Sequence, residues 1–160
     1  MRRKEAWRRN LIAGLVLITA TMGAPEIASA RASVCAKSQE LAALEARVLQ
    51  TELMVGDLTC GQSQSYNAFV TSYKADLVKH GKTIRSLFDR AYGGGSKRQL
   101  NTFVTKLAND SSQRSNSARQ GYCILAGQLF EEVTATPKKP MAELVDKPWI
   151  RSKHGFAPCN

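Results

Sequence analysis

Between Cys35 and Cys60, the segment AKSQELAALEARVLQTELMVGDL places Leu41, Leu44, Val48 and Val55 at helical spacing, with Leu49 and Leu53 beside them and no proline. Gly61 follows as a stop, because glycine alone takes the left-handed backbone of a helix C-cap without strain. The pattern then returns. Ser65 precedes a stripe of Tyr66, Phe69, Val70, Tyr73 and Leu77 that ends at His80-Gly81. Ile84, Leu87, Phe88 and Ala91 make a third, shorter stripe, halted by Gly93-Gly94-Gly95. Ser96 and Gln99 stand at capping-box spacing before Leu100, Phe103, Val104 and Leu107.

Residues 110–120, DSSQRSNSARQ, are polar, yet Ser111, Ser115 and Ala118 keep phase with Leu107 and Tyr122. A helix packed closely through its serines is expected there rather than a loop, with Gly121 as the interruption. Tyr122, Leu125, Ala126, Leu129 and Val133 form the last strong stripe. From Thr134 the chain carries Pro137, Pro140, Pro148 and Pro158 and is expected to be irregular, apart from a short helical turn at MAELV, with Trp149, Ile150 and Phe156 as anchors. Little alternates with period two. The predicted fold is therefore all-α: a small bundle of four to five helices over residues 31–133, with residues 134–160 packed on it through Cys159.

All four cysteines, Cys35, Cys60, Cys123 and Cys159, follow the N-terminal segment, and none forms a C-x-x-C pair. An even count at wide spacing predicts two disulfides rather than a redox site or a zinc ribbon. Helix geometry removes one pairing. A helix from Cys35 to Cys60 separates its ends by roughly 35 Å, whereas a disulfide needs Cα atoms within about 7 Å. Cys60 with Cys123 and Cys35 with Cys159 is the expected set, one bond tying core helices and the other pinning both ends.

Residues 1–30 read as an export signal. Arg2, Arg3, Lys4, Arg8 and Arg9 precede the apolar run LIAGLVLITATMGA, and Ala28-Ser29-Ala30 supplies the small residues that a signal peptidase accepts, so cleavage is expected after Ala30. The apolar run breaks at Pro25 after about fourteen residues, short of the ~20 that span a bilayer. Arg8-Arg9 loosely resembles a twin-arginine signal but follows Trp7 instead of a small polar residue, so the general secretory route is preferred. Val34 and Ala32 do not suit a lipid-modified Cys35. A periplasmic or secreted bacterial protein is expected.

The full chain of 160 residues carries 23 basic and 13 acidic side chains, and 18 and 11 of these lie beyond residue 30. The excess is concentrated. Residues 74–119 hold ten basic side chains against Asp76, Asp89 and Asp110, a local +7 equal to the whole net charge beyond residue 30. On the predicted helices, Arg85, Arg90, Lys97 and Arg98 fall away from the apolar stripes, and backbone N–H groups near Ser96 would add partial positive charge. These four residues are the candidate binding site for an anionic envelope or extracellular polymer, or for a lipid surface. No motif for reading a nucleic-acid sequence accompanies them.

Catalytic patterns are sparse. There is no G-x-S-x-G elbow, Walker loop or dinucleotide fingerprint, and no cofactor is implied. His80 and His154 are isolated and read as surface residues, so no metal site is expected. Glu45, Glu52, Glu131 and Glu132 allow one alternative, a cell-wall glycan-acting enzyme using paired carboxylates, although as helix positions they read as solvated charges. The repetition of NAFVT at 67–71 as NTFVT at 101–105 lacks the signature residues of a tetratricopeptide pair and is taken as coincidence. A non-catalytic binding protein is the favoured class.

Overall fold

The computed structural model describes residues 34–160, and the expected export signal with its cleavage site after Ala30 lies outside them. The described helices are α1 (Ser38–Cys60), α2 (Ser63–Ser72), α3 (Lys74–Tyr92), α4 (Ser96–Ser117), α5 (Arg119–Val133), α6 (Met141–Val145) and α7 (Pro148–Arg151). A 3-10 turn covers Gly93–Gly95, and β1 (Cys35–Ala36) pairs in parallel with β2 (Ala157–Pro158). The expected all-α bundle is the observed fold.

α1 is the axis of the bundle rather than one amphipathic member. Ala43, Leu44, Ala46, Val48, Leu49, Thr51, Glu52, Leu53, Val55 and Gly56 are all buried, and at 100° per residue they point in nearly every direction. A helix that is apolar all round belongs inside. Accordingly α2 to α7 all pack against it. Arg90 near the end of α3 meets Glu40 near the start of α1, so α3 runs antiparallel to the axis. Ser111 and Ser115 of α4 meet Glu52 and Thr59 in the same chain direction, so α4 runs parallel. α5 reverses again, its Cys123 bonded to Cys60.

Both disulfides are those expected, Cys35–Cys159 and Cys60–Cys123, and no cysteine is left free. Paired cysteines of this kind belong to an oxidising compartment. Among the described residues no helix is long and apolar enough to cross a membrane.

Two reversals differ from expectation, and the expected serine caps are not made: Gln62, not Ser65, is the N-cap of α2, and Ser96 lies inside α4 behind Gly95. The chain bends at Tyr73 instead of breaking at Gly81, and α3 passes straight through that glycine. A glycine inside a helix costs only about 1 kcal/mol. Here Ile84, Leu87 and Phe88 bury the stripe on its far side, while Tyr73 is itself buried with its hydroxyl donating to the Lys139 carbonyl at 2.8 Å. The second reversal falls at Ala118 (φ −148°, ψ 57°) rather than at Gly121, and residues 110–117 are helical as expected. Ser111 and Ser115 are buried, which lets α4 approach α1 closely.

The C-terminal segment is more regular than its prolines suggest. α6 is the expected turn at MAELV, and α7 adds a second, opened by Pro148 in the first helical turn, where a missing N–H does no harm. Met141, Leu144, Val145 and Ile150 join the core of α1, α2 and α5. Phe156 meets Phe88 and Phe103 edge to face, ring centroids 5.8 Å from each, before Cys159 reaches Cys35.

Candidate anion-binding face

Burial of Ile84, Leu87 and Phe88 leaves the opposite side of α3 to water. Lys74, Lys79, Lys82 and Arg85 are exposed there, and Val78 lies among them, half-exposed. Lys97 and Arg98 are exposed at the start of α4, beside a shallow trough that runs along Asn101, Thr105 and Lys106. None of these six cations makes an ion pair among the described residues.

Arg90 stands apart from the other three nominated residues. Its Nη2 donates to Glu40 Oε2 at 2.7 Å and to the Cys35 carbonyl at 3.2 Å, so it is committed to fastening α3 onto β1 and α1. Burial pushes the Glu40 carboxyl up, but the Lys37 N–H and the Arg90 guanidinium outweigh it and hold the group below the usual range. The backbone near Ser96 is also less open than expected. The glycines wind into a 3-10 turn and the Ser96 N–H donates to the Gly93 carbonyl, so that donor is already used.

Arg47 was missed. It is half-buried on α1; burial pushes its guanidinium down, Tyr66 opposes this, and the nearby charge of Arg85 adds to the downward push. It has no carboxylate partner among the described residues. Two cations close enough to oppose each other, with no acid between them, leave a positive field uncompensated. The signal was a lone arginine inside the apolar run ALEARVL, in a stretch whose overall charge is slightly negative.

Three of the four candidate carboxylates, Glu45, Glu52 and Glu132, behave differently from solvated helix charges. Glu52 is 8% exposed and is a hub: Oε2 accepts from Ser111 at 2.9 Å, Oε1 pairs with Arg114, and Ser111 and Tyr122 hydroxyls lie 2.7 Å apart. Burial raises the Tyr122 hydroxyl. Both oxygens of Glu52 are thus engaged by protein side chains. Glu132 is held by Lys147 and Lys139, and burial raises Glu45 against the opposing charge of Arg151. Glu131 is exposed, as expected.

The histidines also correct the sequence reading. His154 is buried, its Nδ1 accepting from the Phe156 N–H at 3.1 Å, because the C-terminal segment folds under itself before Cys159. His80 is half-buried on α3. Among the described residues no three His, Cys, Asp or Glu side chains gather as a metal site would require.

The described chain is thus a disulfide-stapled helical bundle with six exposed cations on α3 and the start of α4 that make no ion pair among the described residues. Compared with protein-family models, with curated proteins and with solved structures, it has no match.

Proposed function

We propose that this is an exported, non-catalytic protein of the bacterial envelope or extracellular space that holds an anionic polymer or lipid headgroup surface against α3 and the start of α4. The observation that carries the reading is the set of six exposed cations, Lys74, Lys79, Lys82, Arg85, Lys97 and Arg98, without a carboxylate partner among the described residues. Structural ion pairs consume the basic residues that the fold needs, as Arg90 illustrates. Spare cations remain available, and exposed charges of this kind bind weakly and in a salt-dependent way. Arg85, Lys97 and Arg98 are the proposed contacts, with Arg90 a support for the face rather than part of it.

The export half of the reading rests on the residue 1–30 pattern together with the paired cysteines. Intact mass of the exported form is expected to start at Arg31. The binding half is tested with Arg85→Glu, Lys97→Glu and Arg98→Glu combined, measuring retention on phosphatidylglycerol vesicles and on immobilised polyphosphate. The parent is expected to bind at low salt and release at moderate salt, and the triple variant to bind neither. Equal retention of the two, or no binding by the parent at low salt, would reduce the face to solubilising charge.

A further inference from the structure

A groove of about 1440 Å³ lies between α4, α5 and α7. Leu107, Leu125, Leu129 and Trp149 line it, and Leu125 is 62% exposed although it sits on the helix that carries the disulfide to α1. Ile124, 57% exposed, lines it beside Leu125, and exposed large apolar side chains on a concave surface mark a place that something covers.

The charges in the groove say what kind of occupant fits. Its acids are each matched by a cation of its own: Asp110 by Lys106, Glu52 by Arg114 and Glu132 by Lys147. One cation is left over. Lys153 Nζ is paired loosely, at 3.8 Å, with Glu52 Oε1, the oxygen that Arg114 also engages, so two cations share one carboxylate. It donates no hydrogen bond among the described residues, and the Trp149 ring centroid is 5.7 Å away. Only 24% of its side chain is exposed, and burial pushes its pKa down. A partly desolvated ammonium that shares its carboxylate with an arginine, in an apolar trough whose lining carries one cation more than its acids, matches one negative charge attached to an apolar chain. The stretch of α5 that bounds the trough, Gly121 to Glu132, is about 17 Å long, so an extended acyl chain can lie along it.

We propose that this groove binds a single-chain anionic amphiphile of the fatty-acid class, its carboxylate on Lys153 and its chain along Leu125, Leu129 and Trp149. Arg85, Lys97 and Arg98 do not line this groove, although Lys106, Asp110 and Gln113 border both it and the trough beside Lys97 and Arg98. Net attraction comes from the one surplus cation, and each methylene buried against the leucines adds to affinity.

Trp149 supplies the readout. In the full chain carrying Trp7→Phe it is the remaining tryptophan, and its emission is followed during titration with laurate below the micelle concentration. Dodecanol and dodecyltrimethylammonium serve as neutral and cationic probes of equal chain length. Laurate is expected to give a saturable change and the cationic probe to bind about tenfold more weakly or worse. Lys153→Gln is expected to weaken laurate about tenfold while leaving dodecanol unchanged. Leu125→Asp, at an exposed position that folding does not need, is expected to abolish both, and Val78→Asp on α3 to alter neither. Thermal unfolding confirms that each variant is folded. Equal binding of laurate and the cationic probe, indifference to Lys153→Gln, or no saturable response would overturn the proposal. So would a dimer in sedimentation that Leu125→Asp dissolves without any laurate response, which would make the groove a contact between two copies of the chain.

Discussion

Gly56 of α1 and Ala126 of α5 meet so closely that a Cβ on the glycine would stand 3.0 Å from the alanine Cβ and 3.4 Å from the Phe130 ring. The Cys60–Cys123 bond lies about one turn away along both helices, so neither can slide to make room. Gly56→Val is expected to destabilise the bundle by about 1–3 kcal/mol through overpacking. Ala126→Gly in the same chain is expected to recover part of that loss. Urea midpoints at constant m, read as a double-mutant cycle, measure the coupling. Additive effects would mean that the two residues do not share the space.

Glu52 and Arg114 give a second test. Arg114→Leu leaves a buried carboxylate with hydroxyls and Lys153, 3.8 Å away, as partners, and is expected to cost about 1–3 kcal/mol, and Glu52→Leu is measured beside it. Replacing both residues by leucine is expected to cost less than the sum of the single changes, because no charge is then left buried alone. Chemical unfolding of the four proteins checks this.

His154 makes stability depend on pH in a definite direction. Burial holds its folded-state pKa below the ordinary value of about 6.5, so the unfolded chain binds the extra proton first. The contribution is complete above that value and is lost as pH falls from it towards the folded-state pKa. Protonation of Nδ1 would also remove the acceptor of the Phe156 N–H. Half-buried His80, likewise pushed down, mainly by burial, acts in the same sense. His154→Asn keeps an acceptor near that position and removes the titration. The difference in Tm between parent and variant is expected to shift against the parent as pH drops from 7.5 to 5, and a constant difference would refute the assignment.

The disulfides are expected to contribute unequally to local and global order. Chain entropy puts the Cys60–Cys123 bond at about 4 kcal/mol, and because that bond shortens the path from 35 to 159, the Cys35–Cys159 bond contributes about as much although 124 residues separate its cysteines. Cys60→Ser with Cys123→Ser is expected to lower the midpoint of the whole bundle. Cys35→Ser with Cys159→Ser is expected to loosen β1, β2 and Phe156 first, visible as fast amide exchange there while α1 and α5 stay protected. Uniform loss of protection would contradict this.

Much of this architecture was legible because the signals were local or metric. The length of α1 alone forbids Cys35–Cys60, and the two observed bonds follow from that exclusion and from which helices the remaining pairings tie. The bends were not legible. Tyr73 and Ala118 carry no breaker chemistry, and their placement is decided by what Tyr73 and α5 pack against. The axial position of α1 was only half visible: Glu52 reads as surface in sequence because its partners, Ser111, Arg114 and Tyr122, are some sixty to seventy positions away. Of the four nominated cations, Arg90 could not be separated from Arg85, Lys97 and Arg98 without knowing that α3 ends beside Glu40. Lys153 was hidden for the same reason, since surplus charge in a groove is a property of neighbours.

The two disulfides are nested, Cys60–Cys123 falling inside the loop closed by Cys35–Cys159. From 35 to 159 the polypeptide is therefore a covalent ring with a chord across it. A protease that nicks any single peptide bond within the ring releases no fragment, because a cut between 60 and 123 is spanned by the chord and one elsewhere by the ring's own closure. Tension applied across Cys35 and Cys159 likewise runs through sulfur and bypasses the helices. The bundle can be clipped once, or pulled from both sides, and still arrive in one piece.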